Sequence, residues 1–307
     1  MLKALGLGLV AALFFASTFV LNRAMELGGG SWLWSASLRY LCMVAPLLGI
    51  VALRGNLRGL YAAMRRHPGR WLGWSTVGFG LFYAPLCWAA TRSPAWVVAS
   101  TWQITIVAGS LLVPFVAAGR ARIPRRSVAV AVVILVGVVL VQLQAAAQLA
   151  VSSIVLGSLP VVVAAFAYPL GNRMLMRWYG DTLDTFQRVL GMTLASLPFW
   201  FVVAGAAWFT TGLPSASQVE QSLLVALLAG VVATVLFFRA TDLSRGNVRQ
   251  LAAVEATQAG EVVFALAGEI LWLQGAWPTP LAWLGLVIIV AGMLLQSWLA
   301  RQSAGAG

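Results

Sequence analysis

Charge is what this sequence has least of. Only 9% of its 307 residues are Asp, Glu, Lys or Arg, while 61% are hydrophobic. A soluble domain carries about 25% charge, so this shortfall leaves too few charges to cover a water-facing surface, and lipid must be the solvent for much of the chain. Acids are scarce, at eight, and Lys3 is the only lysine. A single histidine, His67, argues against a metal site or a Ser-His-Asp triad. The two cysteines, Cys42 and Cys87, both lie in apolar runs with no CxxC or zinc spacing and read as small buried residues. No phosphate-binding P-loop is present. The expectation is a non-enzyme without a cofactor, driven by ion or solute gradients or by a partner.

What is there is apolar sequence in runs. They lie at about residues 3–21, 33–53, 71–91, 95–118, 127–146, 151–171, 184–211, 222–240, 248–273 and 279–299. A spanning helix needs roughly 20 mostly apolar residues, so ten such runs use up nearly the whole chain. Arg92-Ser93-Pro94 divides the third run from the fourth, because proline disfavours helix in the residue before it. The first run has no cleavage site before a polar mature domain and reads as a retained helix. With the N-terminus inside, sixteen of the twenty basic residues fall in cytoplasmic segments. Only Arg23 and Arg92 fall outside, and Arg39 and Arg188 lie within spans. Basic loops stay on the cytoplasmic side, so ten helices with both ends inside are expected. The same rule accounts for the net charge of +12 without nucleic acid. In one inner loop, Leu57, Leu60, Tyr61 and Met64 alternate at helical spacing with Arg58, Arg65 and Arg66, the pattern of a short helix lying on anionic lipid.

The halves share a pattern. Asn22-Arg23 with Met25 recurs as Asn172-Arg173-Met174. Arg39-Tyr40-Leu41-Cys42-Met43 recurs as Arg188-Val189-Leu190-Gly191-Met192. Ala90-Thr91 recurs as Ala240-Thr241. All three keep an offset of about 150 residues. Each half, 1–148 and 149–307, then holds five spans. An odd number makes the second half enter the membrane from the opposite side. Inverted repeats of this kind are a secondary-transporter architecture, with the solute site near the midplane between them.

On these residues the chain resembles the drug/metabolite transporter superfamily, in its ten-helix, EamA-like branch. Gly268-Glu269 closing helix nine, with Gly285 and Gly292 along helix ten, is similar to that branch's repeat unit. The opening resembles its multidrug resistance efflux members, through Ala11-Ala12-Leu13-Phe14-Phe15-Ala16, Asn22-Arg23-Ala24-Met25-Glu26-Leu27 and Gly29-Gly30-Ser31-Trp32. The resemblance implies an all-α five-plus-five inverted repeat that moves small molecules. The small four-helix multidrug members carry an essential Glu in the middle of their first helix. Here that run has no acid, and Glu26 is expected beyond its outer end.

Charges within a span cost several kcal/mol unless paired or hydrated, so they mark function. Glu261, about twelve residues into helix nine, has no acidic counterpart in the matching stretch of helix four, and Glu255 lies nearer the start of helix nine. A carboxyl in apolar surroundings is suited to load and unload a proton or hold a cation, and both glutamates are candidates. Thr257 and Gln258 precede Glu261 by four and three residues and share its face. Trp102, Gln103 and Thr105 on helix four, with Tyr83 and Trp88 on helix three, supply aromatic and polar groups for a solute cavity. An aromatic face attracts a cationic head, although most of the fourteen tryptophans fit interfacial belts. Arg39 and Arg188, one in each repeat, read as gate or ion-pair residues, or as contacts for an anionic solute group. Glu269 lies at a similar depth to Arg39 and is placed to pair with it, whereas the depth of Arg188 leaves its pairing with Glu255 open. Gly78, Gly80 and Gly230 suit close helix approach.

The expected function is proton-coupled export of small amphipathic or cationic solutes across a bacterial inner membrane. The partners are the solute, protons and lipid; a monomer suffices and a dimer is compatible. The rivals are export of amino acids or related metabolites through Arg39 or Arg188, and a non-transporting scaffold or lipid-handling accessory. The topology predicts that, with Cys42 and Cys87 replaced by serine, Gly29→Cys and Gly212→Cys react with an impermeant maleimide from outside, and Gly55→Cys only after permeabilisation. The opposite pattern would invert the orientation.

Overall fold

The computed structural model describes residues 2–112, 125–148, 151–243, 254 and 257–303, and among them there is no strand. The helices are α1 (Leu2–Leu27), α2 (Trp32–Leu53), α3 (Leu57–Arg66), α4 (Pro68–Ser75), α5 (Leu81–Ala90), α6 (Ala95–Trp102) and α7 (Ile104–Leu111). There follow α8 (Arg125–Gln148), α9 (Val151–Tyr179), α10 (Thr185–Thr211), α11 (Ala216–Val225), α12 (Thr234–Asp242), α13 (Gly260–Leu271) and α14 (Pro280–Ser303). Hydrocarbon offers a backbone amide no partner, so apolar segments must close their hydrogen bonds internally. Among the described residues five helical stretches are long and apolar enough to cross a membrane: Leu2–Leu27, Trp32–Leu53, Val155–Tyr179, Thr185–Thr211 and Ala216–Phe237. Ala95–Gly109, Val128–Leu143 and Pro280–Leu295 are shorter apolar helices.

Helix ends follow from local chemistry. Asn22, Arg23 and Glu26 lie inside α1, which runs on to Leu27 rather than ending near residue 21. Met25, Glu26 and Leu27 are good helix formers, and the first breaker is the Gly28–Gly30 turn. There Gly29 takes φ 77°, a left-handed conformation that favours glycine, and the Gly30 amide donates to Met25 O at 2.8 Å. In the same way α9 carries Asn172 and Arg173 within it and stops at Gly180. At the start of α10, Asp184 and Gln187 form a reciprocal capping box. The span expected from residue 222 begins at Ala216, because the Ser215 hydroxyl accepts the Gln218 amide at 3.1 Å.

The surface helix expected after α2 is α3. Its Leu60 is buried against Gly191 of α10, while Tyr61, Arg58, Arg65 and Arg66 are exposed. The centre of its apolar stripe therefore packs on protein rather than lipid, and Tyr61 falls outside that stripe.

Two pairs of helices run antiparallel along their length. The C-terminal end of α2 meets the N-terminal end of α10 through Asn56 Nδ2, which donates to Asp184 Oδ2 at 2.9 Å, with Arg54 Nη2 3.4 Å from the same oxygen. At the opposite end Trp34 Nε1 donates to Gly212 O at 2.8 Å. In the second pair, Gly137 of α8 faces Gly285 of α14 and Ile134 faces Gly292. Elsewhere α9 packs along α4 to α7, and α1 packs along α11, α12 and α13.

Regular helix gives way at four places. A π-helical segment, Thr76–Gly80, joins α4 to α5, and a second, Ala226–Ala233, joins α11 to α12, 150 residues later. Gln103 interrupts the path from α6 to α7, and a 3-10 turn, Thr257–Ala259, precedes α13. Such irregularities are tolerated at membrane depth only where protein or a cavity covers them.

The first π segment is covered by backbone. A Cβ on Gly171 of α9 would lie 2.4 Å from Gly78 Cα and 2.7 Å from Trp74 O, whereas one on Gly205 would meet nothing within 4 Å. Gly171→Ala should therefore lower the melting temperature in detergent, costing about 1–3 kcal/mol, and Gly205→Ala should leave it unchanged or slightly raised. Equal effects of the two changes would show that this crossing has room to relax.

Candidate functional site

Two opposite charges lie inside the bundle, and among the described residues neither has a counter-ion. Glu261 sits in the first turn of α13, directly after the 3-10 turn, and is 8% exposed. Gly260 beside it packs on Leu9 and Ala12 of α1. Glu261, Val262, Ala265, Leu266 and Glu269 form the buried face of the helix. Among the described residues no hydrogen bond or opposite charge reaches the Glu261 carboxyl.

Arg39, in α2, is 7% exposed. Its guanidinium carbon lies 4.2 Å from the centre of the Tyr83 ring and 5.8 Å from that of Tyr40. Nη1 reaches Thr18 Oγ1 of α1 only at 3.4 Å, and Nε is buried with no partner. The Tyr83 hydroxyl donates to Asn22 Oδ1 at 3.0 Å, so α1, α2 and α5 meet at this arginine.

Three aromatic rings from three helices meet in the bundle. Phe82 of α5 lies 4.6 Å from Tyr168 of α9 and 5.1 Å from Trp102 of α6, ring centre to ring centre, and Trp102 lies 5.7 Å from Tyr168. The Tyr168 phenol is within electrostatic reach of both Glu261 and Arg39. Tyr168 keeps 38% of its surface accessible. Behind Arg39, Tyr40 stacks on Trp200 with ring centres 4.6 Å apart and planes 9° from parallel.

The family model described as "EmrE: Putative multidrug resistance efflux transporter" matches residues 2–302. The chain belongs to this family. It is a multi-pass membrane transporter. "Uncharacterized protein YjlA" of Bacillus subtilis (strain 168) is 54% identical over 310 residues, covering 98% of this chain and 96% of its own. "Uncharacterized 42.1 kDa protein in intracellular alkaline protease 3'region" of Shouchella clausii is 48% identical over 267 residues, 85% of this chain and 70% of its own. A solved structure titled "Crystal structure of protein" aligns over 97% of this chain and 98% of its own, with a TM-score of 0.59 and 17% identity, a likeness of fold.

For this transporter family member, only part of the residue set expected from sequence comes together. Trp102 is one of the three rings, Tyr83 lies against Arg39, and Glu261 is within electrostatic reach of Tyr168. Trp88 instead donates from Nε1 to Leu156 O at 3.0 Å and stacks edge-on against Trp32. Gln103 bonds back to Ala99 O at 3.0 Å, and Thr105 Oγ1 donates to Ala165 O at 3.1 Å. Thr257 and Gln258 fit against Gly8 of α1, Thr257 Oγ1 donating to Val254 O and Gln258 Nε2 reaching Gly8 O at 3.4 Å. Those hydroxyls and amides are engaged with backbone carbonyls. Glu255 lies outside the described residues.

The expected pairing of Arg39 with Glu269 does not occur. Glu269 Oε2 accepts the Ala95 amide at 2.7 Å, at the N-terminus of α6, where backbone amides have no helical partner. Arg188 ties down the turn before α10, donating to Gly180 O at 3.5 Å, Leu183 O at 3.3 Å and Thr185 Oγ1 at 3.2 Å. Sequence reasoning did not single out Tyr168, Phe82, Tyr40 and Thr18, which the structure places against one another or against Arg39. Tyr168 had one signal: it is one of only five tyrosines and lies in an apolar run, beside Pro169.

Glu269→Ala should therefore destabilise the protein by about 0.5–2 kcal/mol, the usual worth of a helix cap. Glu269→Gln, which keeps an acceptor oxygen, should lose less. Thermal unfolding in detergent decides this, and equal losses would assign the effect to the charge.

Proposed function

We propose that this protein is a secondary transporter of a bacterial inner membrane, exporting small organic solutes with a cationic head in exchange for protons, and that Glu261 binds proton and solute in turn. The observation that carries the reading is the buried carboxyl of Glu261, which has no hydrogen bond or counter-ion among the described residues and lies within electrostatic reach of Tyr168, one of three aromatic rings that meet in the bundle. A carboxylate attracts a cation, and aromatic faces hold it by cation–π attraction once water is excluded. Protonating the same oxygen releases the cation, so one group couples the two movements. A passive scaffold gains nothing from an unpaired intramembrane acid, which costs several kcal/mol.

The reading includes two inverted halves, 1–148 and 149–307. Three features support it. The π segments are 150 residues apart, as are the paired sequence motifs. The helices that this offset makes equivalent, α2 with α10 and α8 with α14, run antiparallel, as inversion requires. The packing of α9 against α4 and α5 has its counterpart in that of α1 against α11 and α12. Exchanging the conformations of such halves opens a central site to alternate sides.

In proteoliposomes carrying a pH gradient, the wild type should move protons when offered aromatic amines or quaternary ammonium cations. Glu261→Gln should lose that exchange while keeping its yield and melting temperature. Undiminished exchange in the variant would remove Glu261 from the mechanism.

A further inference from the structure

The short helix α3 carries charge that the rest of the protein does not answer. Leu60 is buried against Gly191 of α10, and Leu57, Ala63 and Met64 pack beside it on the core. An interfacial helix usually anchors itself by sinking such a face among acyl chains; here protein already occupies it. Gly191 lies six residues after Thr185, the first residue of α10. That is about 9 Å along the axis, so α3 lies near the end of the bundle, beside the clasp of Asn56 with Asp184. Arg58 and Arg65, seven residues apart, share the helix face opposite Leu60, with Arg66 on its flank. All three are exposed, and among the described residues none makes a hydrogen bond, an ion pair or a ring contact. Arg70, four residues on, is held 3.9 Å from the centre of the exposed Trp178 ring. The acids of the turn before α10 do not neutralise them. Asp184 is engaged by the Gln187 amide, Asn56 and Arg54. Asp181 makes no ion pair among the described residues. No other Asp or Glu is near in sequence, since none occurs between Glu26 and Asp181.

We propose that the arginine face of α3 is a docking surface for the headgroups of anionic phospholipid, and that the bilayer holds α3 by charge rather than by insertion. Charge complementarity selects this occupant. Five arginines, Arg54, Arg58, Arg65, Arg66 and Arg70, follow directly on the span of α2, at the level where hydrocarbon gives way to phosphate. A guanidinium fork takes two oxygens of one phosphate. Tyr61, between the apolar stripe and the arginines, and Trp178, beside Arg70, are exposed aromatic side chains of the kind enriched at that level. The surface also bears on the fold. Gly55, at φ 71°, and Asn56 join α2 to α3, and Gln187 Nε2 of α10 donates to Asn56 O at 2.8 Å. Phosphate held on α3 therefore braces the contact of α2 with α10. Binding of this kind differs from that of an inserted amphipathic helix in two ways: it weakens with salt, and it depends on the headgroup rather than on the acyl chains.

The test is lipid binding to the purified full-length protein in a neutral detergent, read by melting temperature and by the lipid retained per protein in native mass spectrometry. The probes are phosphatidylglycerol, phosphatidylcholine with the same acyl chains, and inorganic phosphate. Phosphatidylglycerol should bind at least about tenfold more tightly than phosphatidylcholine and should raise the melting temperature. The triple change Arg58→Gln, Arg65→Gln and Arg66→Gln should cut that advantage to about twofold or less, with the lipid-free melting temperature unchanged. If the triple variant does not fold, Arg58→Gln and Arg65→Gln made singly should each remove part of the advantage. Raising salt from about 0.05 to about 0.5 M should weaken phosphatidylglycerol and leave phosphatidylcholine as it was. The proposal is overturned if phosphatidylglycerol has no advantage or if the advantage survives in the glutamine variants. An advantage indifferent to salt would overturn it in favour of acyl-chain contact. A melting shift as large with inorganic phosphate at the same concentration would overturn it in favour of a soluble anion.

Discussion

A backbone amide in hydrocarbon has no partner except another part of the protein, and the rest of this structure depends on that constraint. It makes every described regular element a helix, and it decides where departures from helix are permitted. The π segments, the interruption at Gln103 and the 3-10 turn at Thr257 all lie against other helices, where side chains or backbone cover them. Thr234 Oγ1, for example, donates to Gly230 O at 3.0 Å inside the second π segment. Polar side chains that look like solute ligands in a sequence are largely consumed by this repair.

Close approach of the helices is the second consequence. Lipid is as apolar as leucine, so helices associate through contact and hydrogen bonds rather than through hydrophobic exclusion. Gly137 against Gly285, and Gly78 against Gly171, bring backbones together at distances that a Cβ would block. The Gly78–Gly171 crossing brings α9 against the π segment before α5, four residues from Phe82 and three from Tyr168, whose rings meet.

The intramembrane charges divide by how the fold treats them. Glu269 and three arginines serve backbone groups and hold elements in place. Glu261 and Arg39 have no counter-ion among the described residues. Leaving buried charges without a counter-ion costs stability, so their positions mark the candidate site.

Composition alone determined that this chain is a membrane protein, because nine charged residues in a hundred cannot cover a surface in water. Runs of apolar residues located the helices, and a motif offset of 150 residues anticipated the spacing of the two π segments. Glu261 and Arg39 were legible because a charge inside an apolar run has few innocent explanations. Their surroundings were not. That Glu269 caps α6, that Trp88 is pinned to Leu156, and that Tyr168 meets Phe82 are decided by contacts between residues 60 or more positions apart. Sequence periodicity records which face of a helix is apolar; it carries no information on which helix that face meets, and only tertiary packing supplies that.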